Sequence, residues 1–591
     1  MATSGSRLPI TSPRHRPPAW IAAAAGWVEA RTRAAALVAL GAILTVAAVV
    51  IYRKGLGTTF YLDDWAWFIQ RREWSLDTLL RPESGHLDAV PLLVYKLLFS
   101  TVGLEHYSVY RAVLIANHLL CVVLLFVLVR RRVGDGLALV AAVPVAFLGS
   151  GWQNLLLPIQ ISFLIPIAAG LGAWLCLERE DPVGDVLAAV LLLLGIASSA
   201  VGIAFAVGVF VELVAAHARV LRAWIAVVPL AAFAVWYITR TEGPLSASTT
   251  GPLGEFRPEL LPDVPAFAAD SAGAGLSGLF GVGLEWSRPL LVLALCGAVW
   301  RVLHLSRISP RLLSLFGAAG TYLVLLAAFR VGRYAPWESR YTYLLSLFAI
   351  LIAAELAAGV RVRRPVLAVV ALLAIAAAVG NFKPLREASL QLQDWSSIVG
   401  AEFGAVEIAG ASADPDWVVD PVRLQSVKAG PYLAAVRALG SPALPPAGIA
   451  GVNEWHRQVA DTTLLHGLGV TARAGGVAAG TAPVGESAPP RDPHAQPGQS
   501  SVRGPCLVLA RAGSRATLDA TVPAGGVVIE SRGAPVDIWL RSFGYHFVEE
   551  PLGSLDAGER ATLAPPPRRG IVWHVRVAST GEAAICSAGG R

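Results

Sequence analysis

Two adjacent carboxylates, Asp63 and Asp64, stand in the stretch TTFYLDDWAWFIQRREW (Thr58–Trp74), framed by aromatic residues. A carboxylate beside apolar rings loses hydration, which raises its proton affinity and suits it to act as a general base on a hydroxyl. The neighbouring aromatic faces can pack against a sugar ring. The alternative role for an acid here is to cap the short helix of WAWFIQRREW, and the two residues can divide these roles.

A second group with chemistry lies far along the chain in FRVGRYAPWESRYTY (Phe329–Tyr343), which provides Arg330, Arg333, Arg340 and Tyr341, with Glu338 among them. Guanidinium forks suit a phosphate; the plainer reading is an Arg340–Glu338 pair anchoring a helix end, with the tyrosines in an interfacial belt. His86, in ESGHLDAVP, is a candidate to contact substrate or assist the base. Gln153, Asn154 and Gln160, in GWQNLLLPIQ, offer neutral hydrogen bonds to sugar hydroxyls or serve as helix-end polar groups. Asn117 and His118 sit inside an apolar run, where polar groups turn towards the protein interior. No HxxxH or DxD cluster calls for a metal, and no cofactor is implied, although a divalent ion is compatible with the chemistry.

The elements that must position these residues are membrane spans. The 591 residues are 55% hydrophobic and 15% charged, with a mean hydropathy of +0.58, outside the range of soluble domains. All but four of the 48 basic residues are arginine, beside 57 Gly and 39 Pro. That bias reads as a GC-rich genome rather than a nucleic-acid surface, since no basic patch interleaves with aromatics. Taking roughly 20 apolar residues per span, about eleven spans follow: Ala34–Tyr52, Val109–Val129, Leu137–Leu148, Ile161–Leu177, Val186–Ser198, Val201–Ala216, Trp224–Ile238, Pro289–Leu303, Leu312–Phe329, Tyr341–Val360 and Pro365–Val379. The arginine-rich loops RRRVGD, HARVLRA, RVLHLSRISPR and RVRR all fall on one side of this alternation, as the positive-inside rule demands; EREDP departs from it.

The expected order is therefore a disordered basic cytoplasmic tail (1–33), a membrane domain (34–381) with a large exterior loop (54–107), an exterior mixed and helical region (382–470), a flexible linker (471–505) and an exterior β-domain (506–591). In the loop, AVPLLVYKLLFSTVGL is apolar all round except for Lys96, which suggests a helix lying on the membrane surface. In the last region, CLVLARA, ATLDATV, GVVIESRG, PVDIWLRSF, HFVEEPL, RATLAPP, VWHVRVAS and AAICSA alternate like strands of a sandwich, with a jelly roll the natural choice. Cys506 and Cys586 fall on its first and last strands, outside the cell, where a disulfide persists. Trp539, Tyr545, His546 and Trp573 either line a carbohydrate platform or belong to its core.

The run FYLDDWAWF…GHLDAVPLLVYKLLF…YRAVLIANHLL…RRRVG resembles the N-terminal third of the C-type integral membrane glycosyltransferases (GT-C), the polyprenyl-phosphate-sugar-dependent enzymes that include protein mannosyltransferases and mycobacterial arabinofuranosyltransferases. The likeness extends over Ala34 to Asn381 in layout and over the acidic loop in motif. It implies transfer, with inversion, from a polyprenyl-phosphate sugar donor in the lipid bilayer to a cell-envelope glycan or protein acceptor on the outer side of the plasma membrane. The catalytic acid maps onto Asp63 or Asp64, with Asp64 slightly favoured, and an Arg-Tyr pair near a late span, here Arg340–Tyr341, is also seen in such transferases. Two other classes compete: a lipid-linked glycan transporter or flippase, which needs charges deep in several spans, and a non-catalytic cell-envelope scaffold.

Overall fold

The computed structural model describes residues 19–82, 86–240, 258–360, 362–424, 427–475, 484, 500–510 and 514–588. The expected tail up to residue 18, Arg361 and the expected linker at 476–483 and 485–499 lie outside the described residues. The chain is a multi-pass helical membrane protein with a C-terminal β-domain. Eight helices among the described residues are long and apolar enough to cross a bilayer, against the eleven spans expected. The other three expected spans are helices too, Asp135–Ala146, Pro182–Ile196 and Val201–Ala215, of 12, 15 and 15 residues. At about 1.5 Å per residue these rise roughly 18–23 Å, short of a hydrocarbon core of about 30 Å.

The first helix already starts at Ala19, inside the stretch expected to be a tail, and runs to Lys54. A further helix, Val264–Phe280, was not expected, because its small residues (Gly273, Gly275, Gly278) and Asp270 hide its hydrophobic period. Those glycines let it lie close to Ser339–Leu356: a Cβ on Gly275 would meet Leu345 at 2.5 Å, and one on Gly278 would meet Thr342 at 2.5 Å. Asn381 knots this crossing. Its amide nitrogen donates to the carbonyls of Gly278 (2.9 Å) and Ala377 (3.0 Å), and its oxygen accepts from the Ser150 amide at 2.8 Å. Three chain segments more than 100 residues apart are thereby joined by one buried side chain.

The helix Arg364–Ala409 has 46 residues, about 69 Å at 1.5 Å per residue, so it crosses the membrane and continues well beyond it. Its C-terminal half packs against the acidic loop and the region that follows the helix: Ser396 Oγ accepts from the Thr59 amide at 3.0 Å, and Phe403 stacks on Tyr432 with ring centroids 4.0 Å apart. The stretch expected to lie on the membrane surface is the helix Ala89–Thr101; Lys96 on it is fully buried rather than wet, with its ammonium donating to the Glu73 carbonyl and lying 5.5 Å from the Trp74 ring.

Among the described residues the β-domain has ten strands: β1 (Arg473–Ala474), β2 (Ser500–Arg503), β3 (Cys506–Leu509), β4 (Ala516–Thr521), β5 (Val527–Arg532), β6 (Val536–Arg541), β7 (Gly553–Leu555), β8 (Arg560–Leu563), β9 (His574–Ser579) and β10 (Glu582–Ser587). They form two antiparallel sheets, β1-β8-β5-β10-β3-β2 and β4-β9-β6-β7, the strand order of a jelly roll. β1 and β2 fall in the stretch expected to be linker. HFVEEPL is not a strand: its exposed Glu549 and Glu550 interrupt the alternation, and pairing resumes at Gly553. Cys506 and Cys586 are register partners on β3 and β10 and form a disulfide. The domain is fixed to the helices by Asp461, whose carboxylate accepts from the amides of Ser542 (2.9 Å), Phe543 (2.9 Å) and Gly544 (2.8 Å).

At the opposite ends of the spans, Arg311 makes a bidentate pair with Glu212 at 2.7 and 3.1 Å and donates to the Trp174 carbonyl at 3.2 Å. Arg132 pairs with both Glu178 and Glu355. Removing one partner of such a buried pair strands the other charge. Arg311→Ala is therefore expected to lower stability by about 3–5 kcal/mol, whereas Arg311→Met with Glu212→Leu recovers most of the loss; thermal unfolding in detergent measures both.

Candidate functional site

Phe60, Trp65, Trp67 and Phe68 drive the helix Leu62–Gln70 into the protein, since all four rings are buried. Phe60 meets Phe68, Tyr107 and Tyr110 edge-on at 4.8, 4.8 and 4.9 Å, and Trp65 meets Phe403 of the long helix at 4.7 Å. Each such pair adds about 0.5–1.5 kcal/mol beyond area burial, so the helix has one orientation. Adjacent helical residues point about 100° apart, and the two carboxylates accordingly part company.

Asp64 faces inward and is fully buried. One oxygen accepts from the Tyr95 hydroxyl at 2.6 Å and the other from the Tyr61 amide at 2.7 Å, which closes the helix N-terminus as a cap. Burial pushes its pKa up to about 7, against the pull of those two bonds. Asp63 is solvent-exposed and has no hydrogen bond among the described residues. Desolvation raises its pKa, while the charge of nearby Arg340 pulls it back down.

Arg340 comes from the start of the Ser339–Leu356 helix and lies over two rings, Tyr334 at 5.0 Å and Tyr341 at 5.2 Å. Arg330 lies over the same Tyr334 ring at 5.3 Å and donates to His86 Nε2 at 2.8 Å. To accept that bond His86 must be neutral, and burial together with Arg330 and Arg340 lowers its pKa to about 4. Gln153 braces the Arg340 helix at three points: its amide donates to Ser339 Oγ (3.1 Å), its side-chain nitrogen to Glu338 (3.4 Å), and its oxygen accepts from the Arg340 amide (3.3 Å). Asn154 Nδ2 donates to the Arg340 carbonyl at 3.3 Å. Among the described residues, the buried atoms Arg340 Nε, Tyr341 Oη and Asn154 Oδ1 have no hydrogen-bond partner, nor does Gln160 Oε1 further along the chain.

Pairwise contacts and charges thus link Asp63, His86, Arg330, Arg340 and Tyr341 into one cluster, with Gln153 and Asn154 bracing Arg340. Arg333 is exposed on the turn next to it, its amide donating to the Arg330 carbonyl at 3.1 Å. Glu338 accepts from Gln153, and among the described residues forms no ion pair with Arg340 within 4.0 Å. His118 is bound instead to Tyr343 Oη (2.9 Å) and the Ala146 carbonyl (3.3 Å), deep among the spans. In the β-domain, Trp573 is core, and Tyr545 is exposed with Arg457 4.0 Å from its ring. Among the described residues there is no group of three or more metal-ligating side chains. Tyr95 and Trp395 carry no local signal in the sequence, whereas Tyr61 stands beside the acids and Tyr334 among the loop tyrosines expected to form a belt; the Tyr61 ring meets Trp395 at 4.6 Å across more than 300 residues.

No family model and no curated protein matches the chain. Among solved structures it is similar to ArnT from Cupriavidus metallidurans bound to undecaprenyl phosphate, with 13% identity and a TM-score of 0.43 over 68% of this chain and 88% of that one. It is also similar to two structures of the Archaeoglobus fulgidus oligosaccharyltransferase. The complex with zinc and sulfate shows 14% identity and a TM-score of 0.39 over 68% of this chain and 58% of that one. The complex of AglB with an inhibitory peptide and a dolichol-phosphate shows 13% and 0.38, over 71% and 66%.

The folded value of Asp64, about 7, lies above that of a free Asp, about 3.9. The folded state therefore holds the proton more tightly, and the contribution of Asp64 to stability falls as pH rises from about 4 to about 7, by roughly 4 kcal/mol in all, and is level above. Thermal melts of Asp64→Asn across this range should lose that part of the pH dependence; wild type is expected to weaken relative to the variant as pH rises.

Proposed function

We propose that this chain is a C-type membrane glycosyltransferase that moves a sugar from a polyprenyl-phosphate donor to an acceptor hydroxyl on the extracytoplasmic side. What supports the reading is that Asp63 feels the charge of Arg340 although the two come from opposite ends of the membrane domain's sequence. In this reading Asp63, rather than the capped Asp64, is the general base. Its raised proton affinity suits it to take the hydroxyl proton as the acceptor oxygen attacks the anomeric carbon. Arg340, with Arg330 and Tyr341, faces the phosphate and stabilises the negative charge that develops as the sugar–phosphate bond breaks. His86, held neutral by Arg330, keeps that guanidinium aimed, Gln153 and Asn154 fix the helix entry behind it, and in this reading they and Gln160 offer hydrogen bonds to sugar hydroxyls. Catalysis of this kind is mostly positioning of two substrates.

The transporter reading needs the spans to part on both sides. The Arg311–Glu212 and Arg132–Glu178–Glu355 pairs hold the other ends of the spans together, which supports a one-sided enzyme. In membranes supplied with radiolabelled polyprenyl-phosphate sugars, Asp63→Asn is expected to lower transfer by about 100-fold or more, while Asp64→Asn loses less and mainly through stability. Undiminished transfer by Asp63→Asn would overturn the assignment. Arg340→Lys retains the charge and loses the planar fork, so a fall in kcat of about tenfold or more is expected. In wild type the rate should climb with pH through the titration of Asp63, a limb that Asp63→Asn abolishes.

A further inference from the structure

The outer part of the Arg364–Ala409 helix carries Val379, Phe382, Lys383, Arg386, Glu387 and Leu390 along one face. This stripe and Lys54, at the end of the first helix, line an open groove of about 560 Å³. The groove is built, not incidental: Ser389 Oγ donates to the Lys54 carbonyl, and Gln393 Nε2 donates to the Leu56 carbonyl at 2.9 Å. Lys383, Arg386 and Glu387 are exposed. Among the described residues, the side chains of Lys54, Lys383, Arg386 and Glu387 have no hydrogen bond or ion pair, so three cations and one acid leave the groove with a net positive charge.

Depth identifies what they face. Measured from Arg364 at about 1.5 Å per residue, Val379 lies about 22 Å along the helix, Lys383 about 28 Å and Arg386 about 33 Å. Lys54 lies about 32 Å beyond Arg33 by the same rise. With a hydrocarbon core of about 30 Å, Val379 and Phe382 sit among acyl chains, and two separate helices bring cations to the plane of the headgroups. Cations at this end also run against the positive-inside bias of the loops.

We propose that this groove binds an anionic diacyl phospholipid of the outer leaflet, its phosphate held by Lys54, Lys383 and Arg386 and its chains against Val379 and Phe382. The site is separate from the Asp63–Arg340 cluster and does not depend on the proposed transfer activity. Each cation near such a headgroup is worth roughly fivefold in affinity, and Glu387 detracts by a similar factor.

The test is native mass spectrometry of the delipidated full-length protein in a neutral detergent, with dioleoyl phosphatidylglycerol and dioleoyl phosphatidylcholine as probes and inorganic phosphate as competitor. Phosphatidylglycerol is expected to bind about tenfold more tightly than phosphatidylcholine and to resist millimolar phosphate. The triple variant Lys54→Gln, Lys383→Gln, Arg386→Gln is expected to remove the preference, with its thermal melt unchanged. Glu387→Gln is expected to tighten phosphatidylglycerol binding, and it carries the test if the triple variant fails to fold. Equal binding of the two lipids, an unaltered preference in the triple variant, displacement by inorganic phosphate, or no tightening in Glu387→Gln would each overturn the proposal.

Discussion

The arrangement depends on the burial of one carboxyl group. Asp64, clasped by the Tyr95 hydroxyl and the Tyr61 amide inside an aromatic shell, fixes the rotation of the Leu62–Gln70 helix about its axis. A buried carboxylate without those partners would cost several kcal/mol, so the helix cannot turn to exchange its two acids. Asp63 is thereby held outward. The strongly shifted group serves as the anchor, and its less shifted neighbour is the one left with free oxygens.

The long Arg364–Ala409 helix passes that orientation to the rest of the molecule. At its membrane end Asn381 ties it to the Ser150 and Gly278 segments; further out, Phe403 backs Trp65, and Trp395 meets Tyr61. The jelly roll is anchored at the far end, where Arg568 donates to the Ile408 carbonyl at 3.0 Å and Asp461 gathers three amides. One rod therefore relates the β-domain, the acidic helix and the spans, while buried ion pairs close the opposite face.

Much of this was legible because two strong signals carried it. Long apolar runs separated by arginines marked the helices, and short apolar runs between turn residues marked seven of the eight expected strands, with Cys506 and Cys586 on the first and last of those eight, which pair side by side in the sheet. HFVEEPL misled because a histidine, an aromatic and a valine imitate a strand whose two glutamates lie in a bend. The Val264–Phe280 helix was hidden because glycine packing replaces hydrophobic periodicity where backbones approach closely. The acidic pair and the Arg330–Arg340 loop could be singled out by residue type. Which acid turned outward could not, since that is decided by Phe403, Tyr95 and Tyr107, contacts between distant segments that leave no local pattern.

The central claim is that Asp63 and Arg340 face the same outward recess and that a lipid-linked phosphate enters between them. Electron cryo-microscopy of the full-length protein in lipid nanodiscs with added polyprenyl phosphate tests it directly. The account predicts phosphate density within hydrogen-bond reach of the Arg340 guanidinium, with the Asp63 carboxylate across the same cavity and Asp64 still bonded to Tyr95. Phosphate density elsewhere, or an Asp63 side chain walled off from Arg340, would contradict it.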